Sequence, residues 1–197
     1  KQLKEKILSL LKPDDLVVLS GNVSYGVRKN IYRELIELVK QQGARVVLDA
    51  DGELFAEGIQ AKPYVIKPNK YELATYFGIS QECSNEEIIS LARTLLNDEC
   101  RLVVVSMGKE GSIFLSNAGI YQAEALHIQA HSSVGAGDAM VAAIAYALEQ
   151  NYDMEQLIAL AVACSAGAVM TKGTQPADQA VVDTLMKQVI IQKLEEN

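Results

Sequence analysis

A chain of 197 residues, 49% apolar and 22% charged, has the makeup of one globular domain with a full core, or of one large domain less a piece. Its net charge of −7 argues against a general nucleic-acid surface or an anionic-membrane surface. No apolar run approaches the ~20 residues of a membrane span, and the first residues lack the layout of a signal peptide. Cys83, Cys100 and Cys164 are scattered and show no CxxC spacing, which reads as reduced thiols in a cytoplasmic protein. The chain opens on Lys1 and runs at once into a helical pattern, so it is expected to be the later part of a longer protein.

In chain order, Leu3, Ile7, Leu8 and Leu11 predict a helix over 1–11. Leu16 to Leu19 reads as a short buried strand ending at Ser20-Gly21. Val27, Ile31, Leu35, Leu38 and Val39 then recur at helical spacing until Gly43. A second strand spans Arg45 to Leu48, a helix covers about 52–59, and a third strand lies near Tyr64 to Ile66. This alternation is the βαβ rhythm of a parallel sheet covered by helices. Two helices follow, near 69–77 and 84–97, then a buried strand at Val103 to Val105. Ile113 to Leu115 and Ile120 to Gln122 flank Asn117-Ala118-Gly119 and predict an antiparallel hairpin. After a loop around His127 to Ser133, three helices are expected near 136–149, 154–171 and 178–194. The first two are Ala-rich and apolar nearly all round, hence buried. The last carries its stripe at Val182, Leu185, Met186, Val189 and Ile190. No linker, repeat or second domain is visible, so residues 1–197 are taken as one domain, or most of one.

Four short segments carry chemistry. Val134-Gly135-Ala136-Gly137-Asp138 opens a long apolar helix. A helix start presents unpaired N–H groups and the positive end of the dipole, and glycines let an anion approach the backbone. A carboxylate there can take a proton from an attacking hydroxyl, so cradle and base together suit phosphoryl transfer to an alcohol. Read alone, the segment is also an ordinary loop-to-helix turn with a dipole-favouring acid. It is neither a dinucleotide fingerprint, since Met140 fills the third glycine position, nor a P-loop. Ser106-Met107-Gly108-Lys109-Glu110-Gly111 follows a strand, where open α/β sheets bind ligands, though a plain hairpin turn looks the same. In Lys67-Pro68-Asn69-Lys70-Tyr71-Glu72, Asn69 and Glu72 have capping-box spacing. Their oxygens would also suit Mg²⁺. Ser20-Gly21 alone says only that a strand ends in a tight turn. Together, all four are expected at the carboxyl ends of strands, or at the helix that follows, along one rim of one sheet.

With these motifs the chain resembles the ribokinase-type (PfkB) carbohydrate kinases over essentially its whole length, and within them the 1-phosphofructokinase and tagatose-6-phosphate kinase branches. The resemblance rests on Leu19 to Gly21, Lys67 to Glu72, Val105 to Gly111 and, most specifically, Val134 to Asp138. It implies an α/β, ribokinase-like three-layer fold with a mostly parallel central sheet, here without its N-terminal third and lid. The absent part would bare one sheet edge, remove most sugar-binding residues and carry any homodimer contact.

The implied roles follow from the same motifs. Asp138 is the general base, and the backbone N–H groups of Gly135, Ala136 and Gly137 hold the transferring phosphate. Ser106, Met107, Gly108, Lys109, Glu110 and Gly111 contact ATP, with Gly137 beside them. Asn69 and Glu72 support Mg²⁺, and Ala163 to Gly173 lies near the adenine. The implied reaction is transfer of the ATP γ-phosphate to D-fructose 1-phosphate. Tagatose 6-phosphate is the alternative acceptor, and a nucleotide-binding module without catalysis the alternative class. One departure concerns the substrate side: where the family continues its first motif as SGSLP, this chain has Ser20-Gly21-Asn22-Val23-Ser24.

Overall fold

The computed structural model describes residues 2–129, 131–172 and 175–194, in two compact units that divide between Val105 and Ser106. Lys1, Ala130 and Gly173, which fall within expected segments, lie outside the described residues.

In the first unit the chain runs α1 (Gln2–Leu10), β1 (Leu16–Ser20), α2 (Ile31–Gln41), β2 (Arg45–Asp49), α3 (Gly52–Gln60), β3 (Val65–Ile66), α4 (Lys70–Phe77), α5 (Asn85–Arg93) and β4 (Leu102–Ser106), whose last residue opens the second unit. The four strands pair in parallel and in chain order. Parallel strands need crossover connections, and α2, α3 and the α4–α5 pair supply the three. Leu19 pairs with Leu48, Ser20 with Asp49, Leu48 with Ile66, and Ile66 with Val103. This register brings the carboxyl ends of the strands side by side, as the βαβ rhythm requires. Val46, Val47, Leu48, Val65 and Val103 to Val105 are fully buried, as are Ile36 and Val39 of α2. Each such side chain contributes roughly 1.5–3 kcal/mol over an exposed one.

Two boundaries differ from the sequence pattern. Val27 stands before α2, in a turn where its N–H bonds the Ser24 carbonyl, and the helix begins only at Ile31. The apolar period continues through Val27, but the left-handed Gly26 interrupts the backbone there. The helix expected to reach residue 97 ends at Arg93, because Asn97 turns the chain by accepting the N–H groups of Glu99 and Cys100.

The second unit holds β5 (Ser112–Ser116), β6 (Gly119–Ala123), α6 (Ala136–Glu149), α7 (Met154–Met170), α8 (Gln179–Met186) and β7 (Ile191–Leu194). The hairpin β5–β6 is antiparallel, as expected, with Ser116 opposite Gly119. The expected last helix is corrected: α8 stops at Met186, and residues 191–194 pair antiparallel with β6. Val189, Ile190 and Ile191 are β-branched and lose rotamer freedom in a helix, and as a strand this segment satisfies the second edge of β6. α7 is buried over most of its surface, and Gly167 brings it within van der Waals reach of Ala177 and α8. α6 is less enclosed than its composition suggests, since Tyr146 is exposed.

Cys100 is buried, and burial pushes its thiol up to about 12, so it stays protonated and unreactive. Among the described residues no helix is long and apolar enough to cross a membrane.

Among the described residues three helices begin with reciprocal capping boxes: α4 at Asn69, α5 at Ser84 and α7 at Asp153. Asp153→Ala is expected to lower stability by about 1 kcal/mol through loss of the cap on α7. Asp153→Asn keeps an acceptor and should stay within a few tenths of the parent. Urea denaturation of the three proteins checks this.

Candidate functional site

The carboxyl ends of β1, β2 and β3 carry a linked set of polar groups. Asp49, the last residue of β2, accepts the Lys67 ammonium at 3.0 Å. The Lys67 side chain is only 5% exposed and that of Asp49 17%, so each carboxylate or ammonium requires the other. The second Asp49 oxygen lies 3.4 Å from the Ser20 hydroxyl, and the Asp49 carbonyl accepts the Gly21 N–H at 2.9 Å. Ser20 and Gly21 therefore touch the same residue that Lys67 neutralises.

One residue beyond the Lys67-Pro68 step, Asn69 caps α4. Its side-chain oxygen accepts the Glu72 N–H at 2.8 Å, and a Glu72 carboxylate oxygen accepts the Asn69 N–H at 2.8 Å. The capping role expected from the spacing is thus present. Glu72 is also perturbed: burial pushes its pKa up first, Asp49 and Asp51 add to the rise, and the Asn69 N–H and Lys67 oppose it. A half-buried carboxylate among carboxylates is stabilised by an added cation, and oxygen donors are the type Mg²⁺ selects. Asn69 and Glu72 each already spend an oxygen on the cap, so a hydrated Mg²⁺ beside them would be held through its waters. Among the described residues no three His, Cys, Asp or Glu side chains gather into a metal-holding cluster.

In the second unit, Ser106 leads into a short 3-10 turn at Gly108–Glu110. The Met107 N–H bonds the Gly111 carbonyl at 2.9 Å, the Gly111 N–H bonds the Gly108 carbonyl at 3.2 Å, and the loop closes on itself. Met107 is buried, whereas Gly108, Lys109 and Glu110 are exposed. Gly111 has φ 91° and ψ −141°, and a Cβ there would collide with the Ala123 carbonyl oxygen. Only glycine fits this corner.

The Val134 to Asp138 segment forms the start of α6 as the pattern requires. Gly135 is the N-cap residue, with φ 86° and open space where a Cβ would stand. The Ala139 N–H bonds the Gly135 carbonyl at 2.9 Å, which starts the helical ladder, and Ala136 makes only a long 3.5 Å bond to Ser133. First-turn amides have no intrahelical acceptor and point outward along the axis. Asp138 is exposed in that first turn. The approach to this turn is fixed from α7: the N–H groups of His131 and Ser132 both reach the Val169 carbonyl, at 2.7 and 3.4 Å. That ties the Ala163 to Thr171 stretch to the lead-in of the α6 start.

Asp49 and Tyr32 lie outside the motifs read from the sequence, and Lys67 stands in one of them without a role of its own. A signal for the Asp49–Lys67 pair was present, since each places a charge at the last position of, or directly after, an apolar run (Val46 to Leu48, and Val65-Ile66). Such a charge needs a partner on the neighbouring strand end.

The pfkB family of carbohydrate kinases matches residues 1–180. Among curated proteins, 1-phosphofructokinase of Haemophilus influenzae is 34% identical over 92% of this chain and 58% of its own length. Tagatose-6-phosphate kinase of Staphylococcus epidermidis is 28% identical over 96% of this chain and 62% of its own. Among solved structures, Escherichia coli phosphofructokinase-2 in complex with potassium superposes with a TM-score of 0.88 at 25% identity. That match covers 95% of this chain and 60% of the other. The chain thus spans about 60% of the length of these relatives.

The raised Glu72 pKa has a stability consequence with a definite sign. The folded state holds the Glu72 proton more tightly than the unfolded state. Stability is therefore fully present below the ordinary carboxylate range and lost as pH rises from that range through the folded value. Glu72→Gln removes this loss while keeping an acceptor for the cap. Its stability relative to the parent, measured by urea denaturation, is expected to be greater at pH 7 than at pH 4.

Proposed function

The chain belongs to the pfkB family of carbohydrate kinases, and on that footing we propose that it forms part of an ATP-dependent sugar-phosphate kinase whose acceptor is D-fructose 1-phosphate. The observation that carries the reading is the start of α6, where Asp138 stands exposed beside first-turn amides opened by Gly135. That arrangement supports the two needs of the reaction. The amides of Gly135, Ala136 and Gly137 offer donors to the charge on the transferring phosphoryl group. The Asp138 carboxylate accepts the proton of the acceptor hydroxyl as its oxygen forms a bond to the γ-phosphorus and the bond to the β–γ bridging oxygen breaks.

The other residues have supporting parts. The exposed backbone of Gly108 to Glu110 offers contacts for the nucleotide. Asn69 and Glu72 would hold Mg²⁺ through its waters; bound with ATP, Mg²⁺ supplies neutralisation of phosphate charge. Alignment and charge neutralisation, rather than covalent chemistry by the protein, are what this transfer needs. The 1-phosphofructokinase of Haemophilus influenzae supports the choice of acceptor, and the tagatose-6-phosphate kinase match favours tagatose 6-phosphate as the second reading. A nucleotide-binding module without turnover is the reading from another class, and the exposed Gly108 to Glu110 turn would serve it equally.

The test is ADP release at saturating Mg-ATP. It uses the 197-residue chain and the same chain extended upstream with the corresponding part of the Haemophilus influenzae enzyme, each with fructose 1-phosphate, tagatose 6-phosphate, ribose or no sugar. Turnover selective for fructose 1-phosphate is expected in the extended chain. ATP binding without turnover on any sugar would move the assignment to the binding module. Asp138→Asn is expected to lower kcat by about 10²–10⁴ with little change in stability. Near-normal kcat in that variant would remove Asp138 from the role of base. Gly137→Val should impair turnover by crowding the phosphate's approach.

A further inference from the structure

Tyr32 lies in the first turn of α2 and is 7% exposed, so its ring belongs to the core of the first unit. Its hydroxyl does not end in that core. It donates to two consecutive backbone carbonyls, Ser20 at 2.9 Å and Gly21 at 3.2 Å, where the chain leaves β1. These carbonyls belong to the last residue of β1 and the residue after it, and the Tyr32 hydroxyl supplies them a donor. On the opposite side the Gly21 N–H is held by the Asp49 carbonyl at 2.9 Å. The turn is therefore clamped from a helix and from a neighbouring strand, with Gly21 at φ 78° between them. Burial, then the Asp49 charge, push the phenol's pKa up, so the donor proton is present throughout the neutral range.

What the clamp fixes is more than one turn. The Ser20 hydroxyl reaches the Asp49 carboxylate, whose other oxygen takes Lys67. Asn22, Val23 and Ser24 leave from Gly21 toward solvent, and beyond them Tyr25 is fully exposed. A core tyrosine satisfied only for stability could donate to any acceptor within reach. This one spends its hydroxyl on the two residues from which the rim loop departs.

We propose that Tyr32 is a positioning residue, which fixes the Ser20–Gly21 turn so that Ser20 to Ser24 meet the phosphorylated sugar, and so sets sugar-phosphate affinity rather than the rate of transfer. This rests on the kinase reading above, and Tyr32 itself touches no substrate.

The experiment is Tyr32→Phe, which keeps the ring and removes the hydroxyl. In the extended chain, KM for fructose 1-phosphate is expected to rise about 5–10-fold, with kcat within about twofold and KM for ATP unchanged; one to two lost hydrogen bonds account for a change of this size. A purely structural tyrosine would lower the melting temperature or the active fraction and leave KM for the sugar phosphate alone, and that result overturns the proposal. Amide hydrogen exchange on the 197-residue chain is the second measurement. Exchange at Gly21 is expected to quicken by about tenfold or more, while Val46 to Leu48 of β2 stay as in the parent. If the extended parent turns over no sugar, the kinase reading has failed, and exchange alone decides the positioning. Unchanged exchange at Gly21, or uniform quickening across the first unit, then overturns it.

Discussion

The ion pair between Asp49 and Lys67 is the constraint on which the rim of the first unit depends. A lysine only 5% exposed cannot keep its charge without a counter-charge, and the parallel register supplies one at 3.0 Å. Relative to two apolar residues of the same volume, such a pair adds little net stability, because desolvation offsets most of the attraction. What it adds is geometry. It fixes one carboxylate to which the β1 turn, the β2 end and the residue after β3 all refer. The Ser20 hydroxyl, the Gly21 N–H and the field felt by Glu72 each trace back to that residue.

The second unit solves a different problem with backbone alone. Its α6 start presents amides whose orientation is set by the helix, and its approach is anchored through His131 and Ser132 to the Val169 carbonyl. No side-chain charge need be buried to create a positive pole there. The units thus divide two physical tasks. In the first, a paired set of charges sits at strand ends; in the second, a helix terminus carries one exposed carboxylate.

Legibility in the sequence followed the range of each interaction. The strand–helix alternation, the β5–β6 hairpin, the α4 capping box and the α6 start were all readable, because each is written within a few neighbouring residues. The end of the chain was not. Val182, Leu185, Met186, Val189 and Ile190 keep a helical period past the end of α8 up to the residue before pairing with β6 begins, and a local period cannot report a distant strand edge. Asp49–Lys67 and the Tyr32 clamp were missed for the same reason, since each joins residues that only register brings together. The family resemblance supplied roles that spacing alone left open, and those roles fall on local motifs.

Gly111 offers a last consequence. A Cβ there would strike the Ala123 carbonyl oxygen, which belongs to a β6 backbone held in pairs on both sides and so has no freedom to retreat. Contrast Gly119, where the nearest obstacle is the far end of the flexible Lys193 side chain. In a pooled selection on saturated codons, position 119, strained by its φ of 133° but not blocked by backbone, would be depleted yet still return a few survivors. Position 111 would return glycine and nothing else, since every other amino acid carries the same forbidden atom. Its depletion would then mark the zero of the fitness scale, against which partial losses elsewhere in the chain can be graded.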